Sequence, residues 1–245
     1  MLPHKDDATF DVKKLRRKWA NEPITPIRIA LLQELEKHNE WTSVIKRTLL
    51  CLRKALNVEI TMSHELDDVA MSLNSGFVPI SWKKKAPETE KNITSWVRWY
   101  RDRVSQFRDW VLKCDGNLPA CVWLAGLHSP ETFIAELIQT ACRRKGWPLD
   151  ATHVETQITR IKDMNEISQP PDSGCYVSGL YLEGARWDFD NQTLAKQRRN
   201  ELIEELPIMH IIPVEKNTGA KNGELRVPVY VTQARRNTMG KGFVF

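Results

Sequence analysis

The chain reads as an α+β protein: a helical N-terminal half, followed by one further helix and a small antiparallel, barrel-like sheet. Three observations predict this. Through residue 113 the apolar residues recur at three- and four-residue steps, the period of helices that bury one face. From Thr152 onward the period becomes two, as half-buried strands require. Clusters of Gly, Pro, Asn and Asp then punctuate the second half at short intervals, as turns between short strands demand. On these boundaries the chain divides into a basic N-terminal segment, 1–24, a helical region, 25–115, and a mixed helix-and-sheet region, 116–245.

Lys13-Lys14-Leu15-Arg16-Arg17-Lys18 forms a short helical segment ending at Trp19, and its charges read as a solvated face. Thr25-Pro26 starts a long helix, with Pro at the first position, where a missing N–H costs nothing. Its stripe runs Ile27, Leu31, Leu35, His38, Trp41, Ile45, Leu49, Leu52, Leu56. His38 has no second ligand or catalytic partner nearby in sequence and reads as a core histidine. Ser63 caps a second helix whose first turn carries Glu65, Asp67 and Asp68, favoured by the helix dipole, and Asn74-Ser75-Gly76 ends it. A loop through Pro79, Trp82, Lys83-Lys84-Lys85 and Pro87 follows.

A third helix over 94–113 turns Trp96, Tyr100, Val104, Phe107 and Val111 inward, flanked by Trp99 and Trp110. Its outer side is assigned Arg101, Arg103 and Arg108 alternating with Asp102 and Asp109. Cys114-Asp115-Gly116-Asn117 makes a turn, and 119–127 is a short apolar run. Ser129 is expected to cap a fourth helix beginning at Pro130, which ends on Arg143-Arg144-Lys145, Gly146 and Pro148. Strands are expected around Val154, Thr156 and Ile158, then over 175–182, 206–214 and 225–232. Gly179 in mid-strand marks a bulge or a close backbone approach. Asp188, Asp190 and Asn191 supply a tight turn and 217–223 a longer one, while Pro207, Pro213 and Pro228 belong at strand starts, edges or bulges.

The composition narrows function by exclusion. Net charge is +5 from 36 basic and 31 acidic residues, an interspersed mixture. Nine tryptophans are unusually many, and most fall where helices and strands turn them inward, which reads as core packing. Five cysteines without a Cys-x-x-Cys pair argue against a disulfide framework or zinc site, and fit a reducing compartment. The glycosylation patterns at Asn92 and Asn191 lack an accompanying secretory leader and read as coincidental. A phosphate loop needs Gly-x-x-x-x-Gly-Lys-Ser/Thr. Gly179 and Gly184 have the spacing but Ala185 stands where Lys belongs, and Gly240-Lys241 is followed by Gly242 with Arg235 in place of the first glycine. No nucleophile elbow or paired-histidine motif is present. Glu183 and Asp188 flank Arg186 and could be drawn as an acid/base pair, but a salt bridge centred on Arg186 is the simpler reading. No catalytic, cofactor-binding or metal-binding residue is therefore assigned, and no cofactor is expected. The Arg-rich third helix and the sequence pI near 8.9 support one alternative, a free-standing basic nucleic-acid-binding protein, although alternating Asp cancels much of that field.

The order of several short motifs resembles the C-terminal region of dynein heavy chains. They include Pro26-Ile27-Arg28, Leu32-Gln33-Glu34, Met62-Ser63-x-Glu65-Leu66 and Val78-Pro79-x-x-Trp82. Trp123-Leu124-Ala125-Gly126-Leu127-His128-Ser129-Pro130-Glu131 and Arg144-Lys145-Gly146-Trp147-Pro148 follow. Tyr176-Val177-Ser178-Gly179-Leu180-Tyr181-Leu182-Glu183-Gly184-Ala185-Arg186-Trp187-Asp188 is the most specific stretch, and Leu206-Pro207-Ile208 and Val227-Pro228-Val229-Tyr230 complete the series. The resemblance implies a non-catalytic module. Its 25–115 region would continue the sixth AAA module and begin the C-terminal domain, and 116–245 would form a barrel-like cap across one face of an AAA+ ring. Implied partners are the rest of the heavy chain (ring and linker), intermediate and light chains of the dynein complex, and, indirectly, the microtubule; no nucleic acid or membrane is implied. The ending Arg235-Arg236-Asn237-Thr238-Met239-Gly240 through Phe245 is more similar to axonemal, inner-arm types than to cytoplasmic ones, implying minus-end-directed movement in a cilium or flagellum. The family continues with a further strand-like segment, so the expectation is either that the chain is a fragment or that the sheet is left open without its last strand.

Overall fold

The computed structural model describes residues 8–22, 24–84, 86, 92–183, 185–196, 203–215, 229–231 and 241–243. Helix α1 (Val12–Lys18) is capped by the Asp11 side chain, and its lysines and arginines are exposed. Helix α2 (Pro26–Leu56) starts where Thr25 accepts a hydrogen bond from the Arg28 N–H. It ends in a hydrogen-bonded turn in which Val58 takes φ 61°. For an L-residue that left-handed conformation costs about 1–2 kcal/mol. Ser63 caps α3 (His64–Asn74) and Asn92, the first glycosylation-pattern residue, caps α5 (Ile93–Leu112). Between them the expected loop contains a helical turn, α4 (Ile80–Lys83), formed because Trp82 is drawn inward and its indole N–H donates to Thr48. Lys85 and Pro87 lie outside the described residues.

Helix α6 (Pro130–Lys145) ends on Gly146 at φ 71°, with Arg143, Arg144 and Lys145 in its last turn. The capping expected of Ser129 is not made: its hydroxyl accepts from Lys37 Nζ instead, and another residue serves the helix end. Of the nine tryptophans, Trp19, Trp41, Trp82, Trp96, Trp99 and Trp110 are buried.

Strands β1 (Cys121–Trp123), β3 (Cys175–Ser178), β8 (Met209–Glu215) and β2 (Thr152–Ile158) form one sheet in that order. A second has the order β7 (Ile203–Glu205), β4 (Tyr181–Glu183), β10 (Lys241–Phe243), β9 (Val229–Val231), and β5 (Ala185–Asp188) pairs with β6 (Thr193–Lys196) as a hairpin. The architecture is α+β, but the sheets are mixed, not antiparallel throughout. The β1–β3 pair is parallel because α6 and β2 intervene and supply the long crossover that parallel strands need. The β4–β10 pair is parallel as well. The expected strand over 175–182 is interrupted by Gly179 at φ +76°, which separates β3 from β4. Asp188 holds the hairpin turn by accepting from the Asp190 and Asn191 N–H groups. Pro213 opposes Val154 of β2 at a point where the β3 pairing has already ended at Ile211, so its missing N–H leaves no ladder bond unmade. The 217–223 turn, Pro228, Gly184, Arg235 and Gly240 lie outside the described residues.

One hydrophobic core crosses the boundary at residue 115, joining Trp19, Leu31, Leu35, Phe107 and Trp110 to Val122, Phe133, Val177 and Met209. A second packs Trp41, Trp82, Trp96, Trp99 and Tyr100 between α2, α4 and α5. No helix among the described residues is long and apolar enough to cross a membrane.

Candidate functional site: a buried ionic cluster and a tryptophan clamp

Helix α2 presents Glu34 and His38 one turn apart toward α5, which presents Tyr100 and Arg103 back. The charge pattern places Arg103 on the solvated side of its helix, and the structure corrects this: it is 0% exposed. Its guanidinium lies 5.1 Å from the Trp99 ring centroid, 5.6 Å from Trp41 and 5.7 Å from Phe107. None of its nitrogens has a hydrogen-bond acceptor among the described residues. The charge is held by ring faces and by Glu34, whose carboxylate is 3.9 Å away. Burial lowers the Arg103 pKa to about 9, with Glu34 and Tyr100 opposing the shift.

Glu34 does a second job at the same place. Its Oε2 accepts from the His128 N–H at 2.6 Å and its Oε1 from the Ser129 N–H at 2.7 Å. Both amides sit at the start of α6, so a carboxylate from α2 supplies the cap that Ser129 does not, at the positive end of the helix dipole. Burial pushes the Glu34 carboxyl up, but the His128 side chain and N–H and the Arg103 charge outweigh it, and the group is held below its ordinary value. The His128 ring is wedged against Trp41, its Nδ1 3.3 Å from Glu34 but poorly aligned for a hydrogen bond. Burial lowers its pKa, with Glu34 opposing and Arg103 reinforcing the shift.

His38 lies fully buried on the same face. Its Nε2–H donates to the Ala8 carbonyl at 3.1 Å, which fixes the neutral tautomer, and Thr42 links it to the Tyr100 hydroxyl. Burial, then the Arg103 charge, lower its pKa to about 3. Burial likewise raises the Tyr100 hydroxyl. The cluster thus contains one buried cation, one buried anion and two neutral imidazoles, an arrangement that fixes helices against each other.

Trp123, at the end of β1, forms the other joint. A Cβ on Gly126 would fall 2.4 Å from its Cε3, and one on Gly179 would fall 2.4 Å from its Cδ1. The indole therefore lies between two glycines from segments far apart in sequence, while Gln106 of α5 donates to the Trp123 backbone carbonyl and accepts from the Trp123 backbone N–H. The Trp123–Glu131 motif and the Ser178-Gly179 motif are two sides of one contact.

Asp188, drawn in the sequence as half of an acid/base pair, is committed to the hairpin turn, where bonds from Asn191 and Asp190 lower its pKa. The Glu183 side chain lies outside the described residues. No group of three or more metal-ligating side chains occurs among the described residues. Arg101 and Asp102 are exposed while Arg108 and Asp109 are half-buried, so the basic face of α5 loses Arg103 and keeps its acids.

A family model for the C-terminal domain of the dynein heavy chain matches residues 1–245. The protein belongs to this family of dynein C-terminal domains. Similar proteins include the Chlamydomonas reinhardtii dynein-1-alpha heavy chain of the flagellar inner arm I1 complex, 44% identical over 236 residues, covering 96% of this chain and 5% of that protein. Human dynein axonemal heavy chain 10 is 40% identical over 244 residues, 100% of this chain and 5% of that one. The ciliary dynein beta chain of Tripneustes gratilla is 34% identical over 219 residues, 89% of this chain and 5% of the relative. This dynein domain therefore spans about a twentieth of the length of those heavy chains. These relatives do not favour a nucleic-acid-binding protein, and Arg103 buried among aromatic rings removes a third of the arginines on which that alternative leaned.

Half the signal for the cluster lies in the sequence. Arg103 falls three and four residues from Tyr100 and Phe107, and Glu34 falls between Leu31, Leu35 and His38, so both occupy apolar stripes. Nothing local points from Glu34 to His128, 94 residues on.

Proposed function

We propose that the chain serves as a non-catalytic structural and regulatory C-terminal domain of an axonemal dynein heavy chain, bracing the AAA+ ring of a minus-end-directed microtubule motor in a cilium or flagellum. One observation carries the reading: the stretches that bear the family resemblance are spent on each other. Glu34 seats His128 and Ser129, and Gly126 and Gly179 clamp Trp123. Their side chains and backbone join the helical half to the sheet half, as a body that transmits force without deforming would need.

On this reading 25–115 carries the end of the sixth AAA module and the start of the C-terminal domain, 1–24 is a basic lead-in, and 116–245 is the cap. The shared core supports their acting as one body. The two four-stranded sheets, linked through Gly179, are read as parts of one barrel-like wall. Partners are then the ring and linker of the same heavy chain, with intermediate and light chains and the microtubule reached through the complex. ATP hydrolysis would belong to modules upstream.

The test compares an intact heavy chain with one lacking this region, in microtubule gliding velocity and in basal and microtubule-stimulated ATPase. A change in the coupling of ATPase to gliding is expected. Unaltered gliding and ATPase after removal, or motor-like ATP turnover by the 245-residue chain itself, would sink the proposal.

A further inference from the structure

The connector from β2 to β3 is tied down near both ends: the Ile208 N–H donates to the Ile161 carbonyl, and the His210 Nε2–H to the Ser173 carbonyl. Between those ties Lys162 sits over the Phe189 ring, and the Met164 sulfur accepts a hydrogen bond from the Ser178 hydroxyl. Met164 opens a single helical turn, Met164–Glu166, in which Asp163 caps the first amides and Glu166 returns a bond to the Asp163 N–H. That local frame fixes where the thioether starts.

Ser178 is the last residue of β3 and only 7% exposed. It stands opposite Trp123 in the β1–β3 pair and precedes Gly179, against which the indole closes. Met164 is 40% exposed, so one sulfur is open to solvent and also bonded to a buried hydroxyl beside the Trp123 joint. The neighbouring sulfurs differ. Met209 is 0% exposed, and burial pushes the Cys121 thiol up to about 11 and that of Cys175 higher still, so both stay protonated and poorly nucleophilic. A thioether needs no deprotonation to react with an oxidant. Met71, at 56%, is as open as Met164, but no hydrogen bond reaches its sulfur among the described residues.

We infer that Met164 is an oxidation site: hydrogen peroxide converts its thioether to the sulfoxide, and the change releases the 162–171 stretch from the end of β3 beside the Trp123 joint. In the step a sulfur lone pair attacks one peroxide oxygen and the O–O bond breaks. Sulfur loses two electrons, and the departing oxygen takes up the proton of the transferred one and leaves as water. The product is polar, and its acceptor is the new oxygen instead of the sulfur. The Ser178 hydroxyl then keeps a partner only if the side chain shifts by about a bond length. A sulfoxide also draws water toward a serine that the apolar side chain helps to cover.

The test treats the intact heavy chain with hydrogen peroxide, reads sulfoxide at each methionine by peptide mass spectrometry, and follows amide hydrogen exchange over 160–180. Met164 is expected to oxidise about tenfold or more faster than buried Met209, and exchange over 162–171 to rise about tenfold with it. A methionine sulfoxide reductase supplied with a dithiol should restore the slower exchange. Met164→Leu, which keeps an apolar side chain of similar volume, should abolish the peroxide-dependent rise, and Met71→Leu should leave it intact. Oxidation of Met164 no faster than that of Met209 overturns the inference. So does oxidised Met164 with unchanged exchange, or a rise that persists in Met164→Leu. Both readouts are chemical, so they decide the matter whether or not the region braces a motor.

Discussion

Replacing Glu34 by Gln tests the ionic cluster most sharply, because the two groups have nearly the same shape and differ in charge. The carboxylate accepts two backbone N–H bonds, at 2.6 and 2.7 Å, and is the counter-charge to a guanidinium 3.9 Å away with no exposed surface. The amide keeps one acceptor oxygen, so one N–H at the start of α6 loses its partner, which costs about 1–3 kcal/mol. Arg103 is left without a counter-charge in a site lined by Trp41, Trp99 and Phe107. Breaking such a pair on one side costs about 3–5 kcal/mol, and since the two losses share one carboxylate they overlap, so that range stands for the whole effect. For a chain of this size it corresponds to a fall in Tm on the order of 10 °C. Arg103→Met should cost less, because Glu34 retains both backbone bonds. In the double variant the orphaned cation is gone, so Glu34→Gln/Arg103→Met should be more stable than the sum of the single losses implies, by about 1–3 kcal/mol. Urea unfolding followed by tryptophan fluorescence reads all four members of the cycle. Additive losses, or a Glu34→Gln cost below about 1 kcal/mol, would refute the assignment of a coupled buried pair.

Gly179→Ala should destabilise by about 2–4 kcal/mol, since a Cβ would meet the Trp123 ring at 2.4 Å from a backbone already at φ +76°; a calorimetric Tm equal to that of the unmodified chain would contradict the clamp. Ser129→Ala should cost only about a few tenths of a kcal/mol, well below the ordinary loss for a capping serine, because Glu34 does the capping; the denaturation midpoint decides. His38 has a folded pKa near 3 against an ordinary 6.5, so below pH 6.5 the unfolded chain takes up a proton that the folded one refuses. Stability is therefore present above pH 6.5 and lost as pH falls toward 3, and His38→Gln should flatten the stability profile between pH 4 and 6 by up to about 1.4 kcal/mol per pH unit. The remaining acid sensitivity should come from His128, lowered by burial, and Glu34, whose contribution fades only below its ordinary value of 4.5.

Helices are legible in the sequence because their signals are local: Thr25 before Pro26, Ser63 before an acidic first turn, Gly146 after three cations. The Asp188 turn is legible for the same reason. Strand pairing is not, since the parallel β1–β3 partnership is decided by a helix and a strand intervening between them. Arg103 is misplaced when its charge is weighed above its spacing: it shares a face with Trp96, Trp99, Tyr100 and Phe107, and a cation so placed is tolerated only because rings and a carboxylate surround it. Gly179 announces a close approach, but only the fold reveals that the approaching group is Trp123.

The seating of α6 on a residue 94 positions earlier has a bearing on how the protein reaches its native state. Until the long loop between them closes, α6 lacks acceptors for its first amides and Glu34 cannot be desolvated without loss. Neither half, alone, can complete the core they share, although Trp41, Trp82, Trp96 and Trp99 pack within the helical half. Closing so long a loop costs conformational entropy before any contact is gained, so the last steps of assembly should be concerted and slow compared with helix formation. A truncation between residues 34 and 128 would accordingly strip the shared core of its second half and lower the unfolding midpoint of whatever remains.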